Sequence, residues 1–223
     1  MNVNNFKDVV EQYARAAGAG QPDYQINRKH KATLFAKLFG ENRENALSLY
    51  NAVNGSNYTN AEDLTYTALD DVVYMKMKND VSFLIDRTIS LYEHQSTYNP
   101  NMPLRGFLYF ADLYRQQIKN NAAIYSRYLV KIPAPKYVVF YNGDHKDIPE
   151  GIRELHLSDA FEFPVEQGKF EWTATMININ PGKNAELKEK CTVLQEYTVF
   201  VEKVRSYSRC MPPALKKDVL PAF

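Results

Sequence analysis

The sequence predicts a mixed α/β fold of the α+β kind, in which a central sheet of parallel and antiparallel strands is flanked by helices. Three observations predict it. Residues 78–98 hold two alternating segments separated by a short polar break, which is typical of a β-hairpin. Residues 104–118 repeat apolar side chains at helical spacing. Residues 137–141 are β-branched and aromatic, as in a buried strand.

Helical patterns dominate the chain before the hairpin. A short amphipathic helix is expected over residues 5–17. Two further helices are expected to end at Gly40 and Gly55, because glycine commonly terminates helices. Their apolar faces consist of Leu34, Phe35, Leu38 and Phe39 in the first helix and of Ala46, Leu47, Tyr50 and Val53 in the second. Residues 64–69 and 72–77 then have β-type patterns.

The register of the hairpin decides which side chains meet. If its loop consists only of Asp86 and Arg87, Asp80 lies directly opposite Glu93. Opposed Cβ atoms are about 4.5–5.5 Å apart, and like charges at that position destabilise a sheet. A divalent cation held by both carboxylates relieves this repulsion, so the register predicts a metal site. It also places Lys78 opposite the next residue on that face, Gln95.

The second half of the chain continues with a helix whose start is bracketed by Pro100 and Pro103 and a strand that closes at Asn142 and Gly143. The predicted apolar stripe of that helix consists of Leu104, Phe107, Leu108, Ala111, Tyr114 and Ile118. An extra strand over 170–179 and a helix over 185–206 are expected beyond it. The last helix packs on the core by default, with a lid or a homodimer surface as alternatives. We expect one domain over 1–223, with a core at about 30–143 and an extension at about 150–210.

Composition limits the classes of function. The formal charge is +1 over 223 residues, so any contact with DNA must come from local clusters. No apolar run reaches the roughly 20 residues of a membrane span, and no secretory signal begins the chain, which predicts a cytoplasmic protein without a membrane partner. Cys191 and Cys210 form no CxxC pair, and the sequence contains no GxxxxGK[ST], GxGxxG, GxSxG or HExxH motif.

An acidic residue at a strand end is followed, after the hairpin, by Glu-x-Gln. The flanking segments are LFAKLFGENRENALSLYNAVNG (34–55), NPNMPLRGFLYFADLY (99–114) and PKYVVFYNG (135–143). Together they resemble the PD-(D/E)XK nuclease superfamily, in its branch of recombination-promoting nucleases and PD-(D/E)XK family transposases. The resemblance covers most of the chain and implies a restriction-endonuclease-like core. The family's Pro-Asp pair is here Asn79 and Asp80, and Gln95 stands where lysine is usual.

The resemblance implies a role for each residue of the motif. Asp80, Glu93 and the backbone carbonyl of His94 would hold Mg²⁺ or Mn²⁺, which prefer oxygen ligands. Gln95 is not a base at neutral pH, but its amide can hold a water molecule by hydrogen bonds. Lys78 is a candidate to supply the positive charge that lysine would otherwise provide, with a solvated strand end as the alternative. The His94 side chain is expected on the opposite face from Glu93.

Candidate contacts to nucleic acid are Arg105, at the start of the helix after the motif, and Lys29 and Lys31 in a basic run. Exposure without function is the alternative for Arg105, and a solvated connector is the favoured interpretation of the run. Glu44 is interpreted as an acidic residue in the first turn of its helix that is stabilised by the helix dipole, rather than as a metal ligand. The leading hypothesis is a Mg²⁺-dependent DNA endonuclease of the transposase-like or recombination-promoting kind. The alternative is a catalytically weak module of the same fold that binds nucleic acid or a protein.

Overall fold

The computed structural model describes residues 30–67, 80–118, 124–143, 151–166 and 170–210. The chain divides into two compact units. The first comprises residues 1–61 and 179–223, and the second comprises residues 62–178. The expected helix at 5–17, the expected strand at 72–77, and Lys29, Lys78 and Asn79 lie outside the described residues. None of the described helices combines the length and the apolar content that crossing a membrane requires.

The described part of the first unit is helical. Its helices are α1 (His30–Gly40), α2 (Arg43–Asn54), α4 (Ala185–Lys190) and α5 (Thr192–Cys210). Asn42 caps α2 by accepting a hydrogen bond from the Asn45 backbone N–H, and Gly55 ends it in the left-handed conformation at φ 63°. The apolar side chains predicted for α1 are buried, and Phe35 contacts Tyr197 of α5 edge-to-face at a centroid distance of 5.7 Å.

The second unit contains a mixed sheet and one long helix among its described residues, which confirms the predicted α/β class. The strands are β1 (Leu64–Tyr66), β2 (Val81–Ile85), β3 (Thr88–Gln95), β4 (Ala134–Tyr141), β5 (Ile152–His156) and β6 (Thr173–Asn178), and the helix is α3 (Met102–Gln117). Their order in the sheet is β1-β2-β3-β4-β6-β5. β4 runs parallel to β3 and β6, whereas β1, β2 and β3 pair in antiparallel fashion, as do β5 and β6. β5 is a strand that the sequence pattern did not predict.

The hairpin has the predicted register. Ile85 pairs with Thr88, and Val81 pairs with Tyr92. Asp86 adopts a φ of 51° in the two-residue loop, which is the backbone conformation that such tight hairpin turns require and that Asp tolerates. Continuing the pairing by one residue places Asp80, which immediately precedes β2, opposite Glu93.

The predicted apolar stripe of α3 is wrong. The side chains of Leu104, Phe107 and Leu108 are exposed, and the buried positions are Met102, Pro103, Gly106, Tyr109, Phe110 and Leu113. The face that meets the sheet is thus rotated toward Arg105 and Tyr109. This orientation lets Arg105 reach the buried Glu93 and brings the helix backbone at Gly106 against the Tyr137 ring. Satisfying a buried charge outweighs burying a few more apolar atoms.

The predicted helix over 185–206 is also corrected. Cys191 adopts an extended conformation, φ −132° and ψ 91°, so the segment is divided into α4 and α5. The apolar stripe survives the break, because Cys191, Leu194, Tyr197 and Val201 are all buried.

We expect Gly106→Ala to destabilise the protein, although alanine favours helices by about 1 kcal/mol. A Cβ at this position would overlap the Tyr137 ring and force the helix or the ring to move, and overpacking of this kind costs about 1–3 kcal/mol. Urea denaturation measures the change. Gly151→Ala is the control, since nothing lies within 4 Å of a Cβ there. Equal stability of the two variants would contradict close packing at Gly106.

Candidate active site

The candidate site is organised around Glu93, near the carboxyl end of β3. The side chains of Leu91, Tyr137 and Val139 belong to the core cluster that includes residues of α3, so this face of β3 and β4 meets the helix. Because side chains alternate along a strand, Glu93 projects to the same face. It pairs with Val139 of β4 and is 1% exposed. A carboxylate is thereby placed under the first turns of α3, where water cannot satisfy it.

Protein donors satisfy the Glu93 carboxylate instead. The Arg105 guanidinium approaches Oε1 to 2.5 Å, and the Gln95 side-chain amide donates to the same oxygen. The Tyr137 hydroxyl donates to Oε2 over 2.6 Å. Hydrogen bonds to a charged acceptor contribute about 1.5–3 kcal/mol each, which offsets the cost of burying the charge. Both carboxylate oxygens are thus engaged.

Arg105 is held by more than Glu93. Its guanidinium also donates to the Tyr109 hydroxyl over 2.9 Å and lies 5.6 Å from the centroid of the Tyr109 ring. Burial alone would lower the pKa of Arg105, but the Glu93 carboxylate and the Tyr109 hydroxyl outweigh it and raise the pKa. Arg105 therefore stays charged and acts as a fixed counter-ion. It is half-buried, so part of the guanidinium still faces solvent.

Asp80 completes the cluster as a second acid. Part of the residue reaches solvent, yet protein atoms surround its carboxyl group closely. This desolvation is the largest cause that raises the pKa of Asp80 well above 3.8, and repulsion from Glu93 adds to it, while Arg105 opposes both. The effect of Glu93 on the pKa of Asp80 agrees with the hairpin register, which brings the two side chains to the same face of the sheet.

The donor set fits a hard divalent cation in part. Asp80 and Glu93 supply carboxylate oxygens. A backbone oxygen is a further possible ligand, and its direction follows from the next residue: the Gln95 carbonyl faces β4, where it accepts a hydrogen bond from the Asn142 backbone N–H. Carbonyls alternate along a strand, so the His94 carbonyl points toward β2, the side on which Asp80 lies. Within the described residues no three His, Cys, Asp or Glu side chains form a metal cluster. Mg²⁺ commonly uses one or two carboxylates and completes its shell with water and substrate phosphate, which this pair allows.

Several predicted residues lie elsewhere. The His94 side chain is buried on the face opposite Glu93, as expected from alternation. Tyr92 and Phe140, whose rings are in edge-to-face contact, are buried on that same face. Lys31 belongs to α1 in the first unit, and its side chain is outside the described residues. Glu44 lies exposed in the first turn of α2, on the wall of a cavity of about 660 Å³ within the first unit.

Tyr137 and Tyr109 are site residues that the sequence analysis missed. Tyr137 stands two positions before Val139 on β4 and so lies diagonal to Glu93 across the parallel pair, within reach of a long side chain. Burial raises the pKa of Tyr137 first, and the Glu93 carboxylate raises it further, which keeps the hydroxyl protonated as a donor. Predicting the contact between Tyr137 and Glu93 would have required the register between β3 and β4, which the sequence did not give. Tyr109 could have been predicted as a partner of Arg105, because residues four positions apart lie on the same face of a helix.

Comparison of the chain with protein-family models, with curated proteins and with solved structures gives no match.

We expect Tyr137→Phe to lower the free energy of unfolding by about 1.5–3 kcal/mol, because it removes a hydrogen bond to a buried charge. Tyr114→Phe is a matched control, since the Tyr114 hydroxyl donates over 2.7 Å to a neutral acceptor, the Pro133 carbonyl. Its expected loss is about 0.5–1.5 kcal/mol. Urea denaturation of both variants measures the difference, and a larger loss for Tyr114→Phe would contradict a charged Glu93.

We expect Asp80→Asn to raise the free energy of unfolding relative to the wild type, by an amount that increases with pH. The pKa of Asp80 is raised in the folded state, so the stability associated with its neutral form is complete below 3.8 and is lost as the pH rises through the folded-state value. Asparagine keeps the neutral form at every pH. The stability gain should be absent in acid and reach about 1 kcal/mol or more at neutral pH.

Urea denaturation across this pH range measures the gain, with Glu154→Gln, an exposed acid of β5, as a control expected to stay within about 0.5 kcal/mol of wild type. A destabilised Asp80→Asn variant at neutral pH would contradict a raised pKa of Asp80 in the folded protein.

Proposed function

We propose that the protein is a metal-dependent nuclease that hydrolyses phosphodiester bonds in DNA, of the PD-(D/E)XK type. The observation that carries the proposal is the register of the hairpin, which when continued by one residue places Asp80 opposite Glu93, beside a half-buried arginine. Carboxylates that can hold a metal ion, beside a fixed cation, suit a site where charge develops on a phosphate group. A transposase-like or recombination-promoting role is the part of this proposal that rests on the sequence resemblance alone.

The residues divide the work by their chemistry. Asp80 and Glu93, with the His94 carbonyl, would hold Mg²⁺ or Mn²⁺, which supplies Lewis acidity toward water and a phosphate oxygen. Arg105 is charged at all relevant pH values and is positioned to neutralise charge that develops on the phosphate. Gln95 donates a hydrogen bond to Glu93 and so orients the carboxylate. Because its amide is uncharged, it does not supply the positive charge that a lysine at this position would supply. Tyr137 fixes the other carboxylate oxygen.

A second candidate function is a catalytically weak module of the same fold that binds nucleic acid or a protein. The observation that favours it is that protein donors already satisfy both oxygens of Glu93. A cation would have to compete with Arg105 for this carboxylate. Such self-neutralisation stabilises the fold without metal and weakens metal affinity.

Cleavage of plasmid DNA in Mg²⁺ or Mn²⁺ tests the leading proposal, with chelator as the blank. We expect cleavage by the wild type and a loss of about 100-fold or more in Asp80→Asn and Glu93→Gln, because each removes a carboxylate from the site. Glu154→Gln is the control for loss of an acidic side chain away from the site, and it should cleave like the wild type.

Two outcomes decide between the candidates. Undiminished cleavage by both site variants would reject the site. Calorimetric titration with Mn²⁺ gives the second readout: heat of binding that disappears in Glu93→Gln, without cleavage by the wild type, would favour the weak module over the nuclease.

A further inference from the structure

A long stretch of the chain carries no acidic residue. Between Asp112 and Asp144 there is no Asp or Glu, although the whole chain has 26 acidic residues against 27 Lys and Arg. The basic residues of this stretch are Arg115, Lys119, Arg127, Lys131 and Lys136. Arg127 and Lys131 are exposed, and exposed cations without acidic neighbours in sequence attract a polyanion even when the net charge of the protein is near zero.

Residues 124–133, here named the cationic aromatic segment, present large side chains to solvent within this stretch. Tyr125 is 89% exposed and Tyr128 is 70% exposed, and Leu129 is exposed as well. The Arg127 guanidinium lies 5.1 Å from the centroid of the Tyr128 ring and donates to its hydroxyl over 3.0 Å. A ring and a cation are therefore held side by side, and both are accessible.

The segment is tied to the second unit at its carboxyl end. The Pro133 carbonyl accepts from the Tyr114 hydroxyl of α3 over 2.7 Å, and the Ala134 backbone N–H donates to the Arg87 carbonyl of the hairpin loop over 2.7 Å. The rings thus project from a fixed base rather than from a free chain end. Arg87 is itself exposed at this base.

We propose that the cationic aromatic segment binds unpaired bases of a nucleic acid strand, with Tyr125 and Tyr128 as stacking platforms and Arg127 and Lys131 as phosphate contacts. The proposal rests on the proposed nuclease function for the identity of the partner. Stacking on exposed rings combined with a positive backbone contact is the usual means of binding single strands, and it is insensitive to sequence. A symmetric contact with a second copy would bring Arg127 and Lys131 of one copy near the same cations of the other, which repulsion disfavours.

The sheet sets the spacing between the segment and the candidate site. Ala134, the first residue of β4, pairs with Thr88 at the hairpin end of β3, whereas Glu93 pairs with Val139 five positions further along. Five residues of a parallel strand span about 17 Å. The base of the segment and Glu93 therefore lie on the same sheet, separated by this length of strand.

Fluorescence anisotropy with a labelled oligothymidylate of about 12 nucleotides tests the proposal, with full-length protein in EDTA so that metal binding and cleavage play no part. We expect Tyr125→Ser and Tyr128→Ser each to weaken binding about fivefold or more, since they remove a stacking platform. Tyr125→Phe keeps the ring and should bind like the wild type. Lys131→Gln should reduce the slope of log affinity against log salt by about 0.7, the value for one phosphate of a single strand.

Phe163→Ser is the matched control. Phe163 is 79% exposed in the same unit but lies between the acidic Glu162 and Glu166, so its loss should leave oligothymidylate binding unchanged. Thermal melting of each variant should match the wild type, because the substituted side chains are exposed.

Four results would overturn the proposal: no binding of oligothymidylate by the wild type, wild-type affinity in both serine variants, an equal loss of affinity for a duplex of the same length, or binding to anionic lipid vesicles in place of the oligonucleotide. Failure of the nuclease proposal is separate, because it is detected by cleavage in the Asp80 and Glu93 variants and not by binding in EDTA.

Discussion

A buried carboxylate with hydrogen-bonded partners on three elements is the interaction on which the second unit depends. Glu93 is fixed on β3, Tyr137 approaches it from β4, and Arg105 approaches from α3. An ionised carboxylate without these donors would carry a large desolvation cost. The need to satisfy it fixes how α3 is rotated on the sheet, and the absence of a side chain at Gly106 lets helix and strand come close enough to do so. The close packing at Gly106 and the ion pair at Glu93 therefore both restrict the position of α3 on the sheet.

The same arrangement shapes what the site can do. Arg105 neutralises Glu93, and Asp80 is left as the less compensated of the two acids. A group held in this state is destabilising for the fold but suited to receiving a ligand of opposite charge. Binding of a cation between the acids would weaken the hold of Glu93 on Arg105. The arginine would then be available to a phosphate group, so that metal and nucleic acid would assist one another through a single shared side chain.

Local rules predicted much of this architecture. The two-residue hairpin loop fixed the register, and therefore the opposition of Asp80 and Glu93, from residues close in sequence. The glycine stops after α1 and α2 were likewise visible, because a helix end depends on local backbone geometry. What failed depended on contacts between distant segments. The buried face of α3 was predicted wrongly because the spacing of apolar residues contains no information on the ion pair between Arg105 and Glu93. Tyr137 was missed because its contact with Glu93 joins residues that are over forty positions apart. β5, with its exposed first residues, lacks the alternation that marks a half-buried strand.

β4 connects the two surfaces to which we assign nucleic-acid chemistry. Its first residue is bonded to the hairpin loop at the base of the cationic aromatic segment, and its fourth residue, Tyr137, holds Glu93. β3 pairs with β4 along its whole length, so the spacing between these points is fixed by the sheet rather than by a loop. A chain with a net charge near zero could bind a polyanion productively under this constraint, because our two proposals place affinity at one end of the strand and chemistry at the other. Positive charge at fixed positions can orient a bound nucleic acid. A positive charge spread over the whole surface would bind nucleic acid without orienting it.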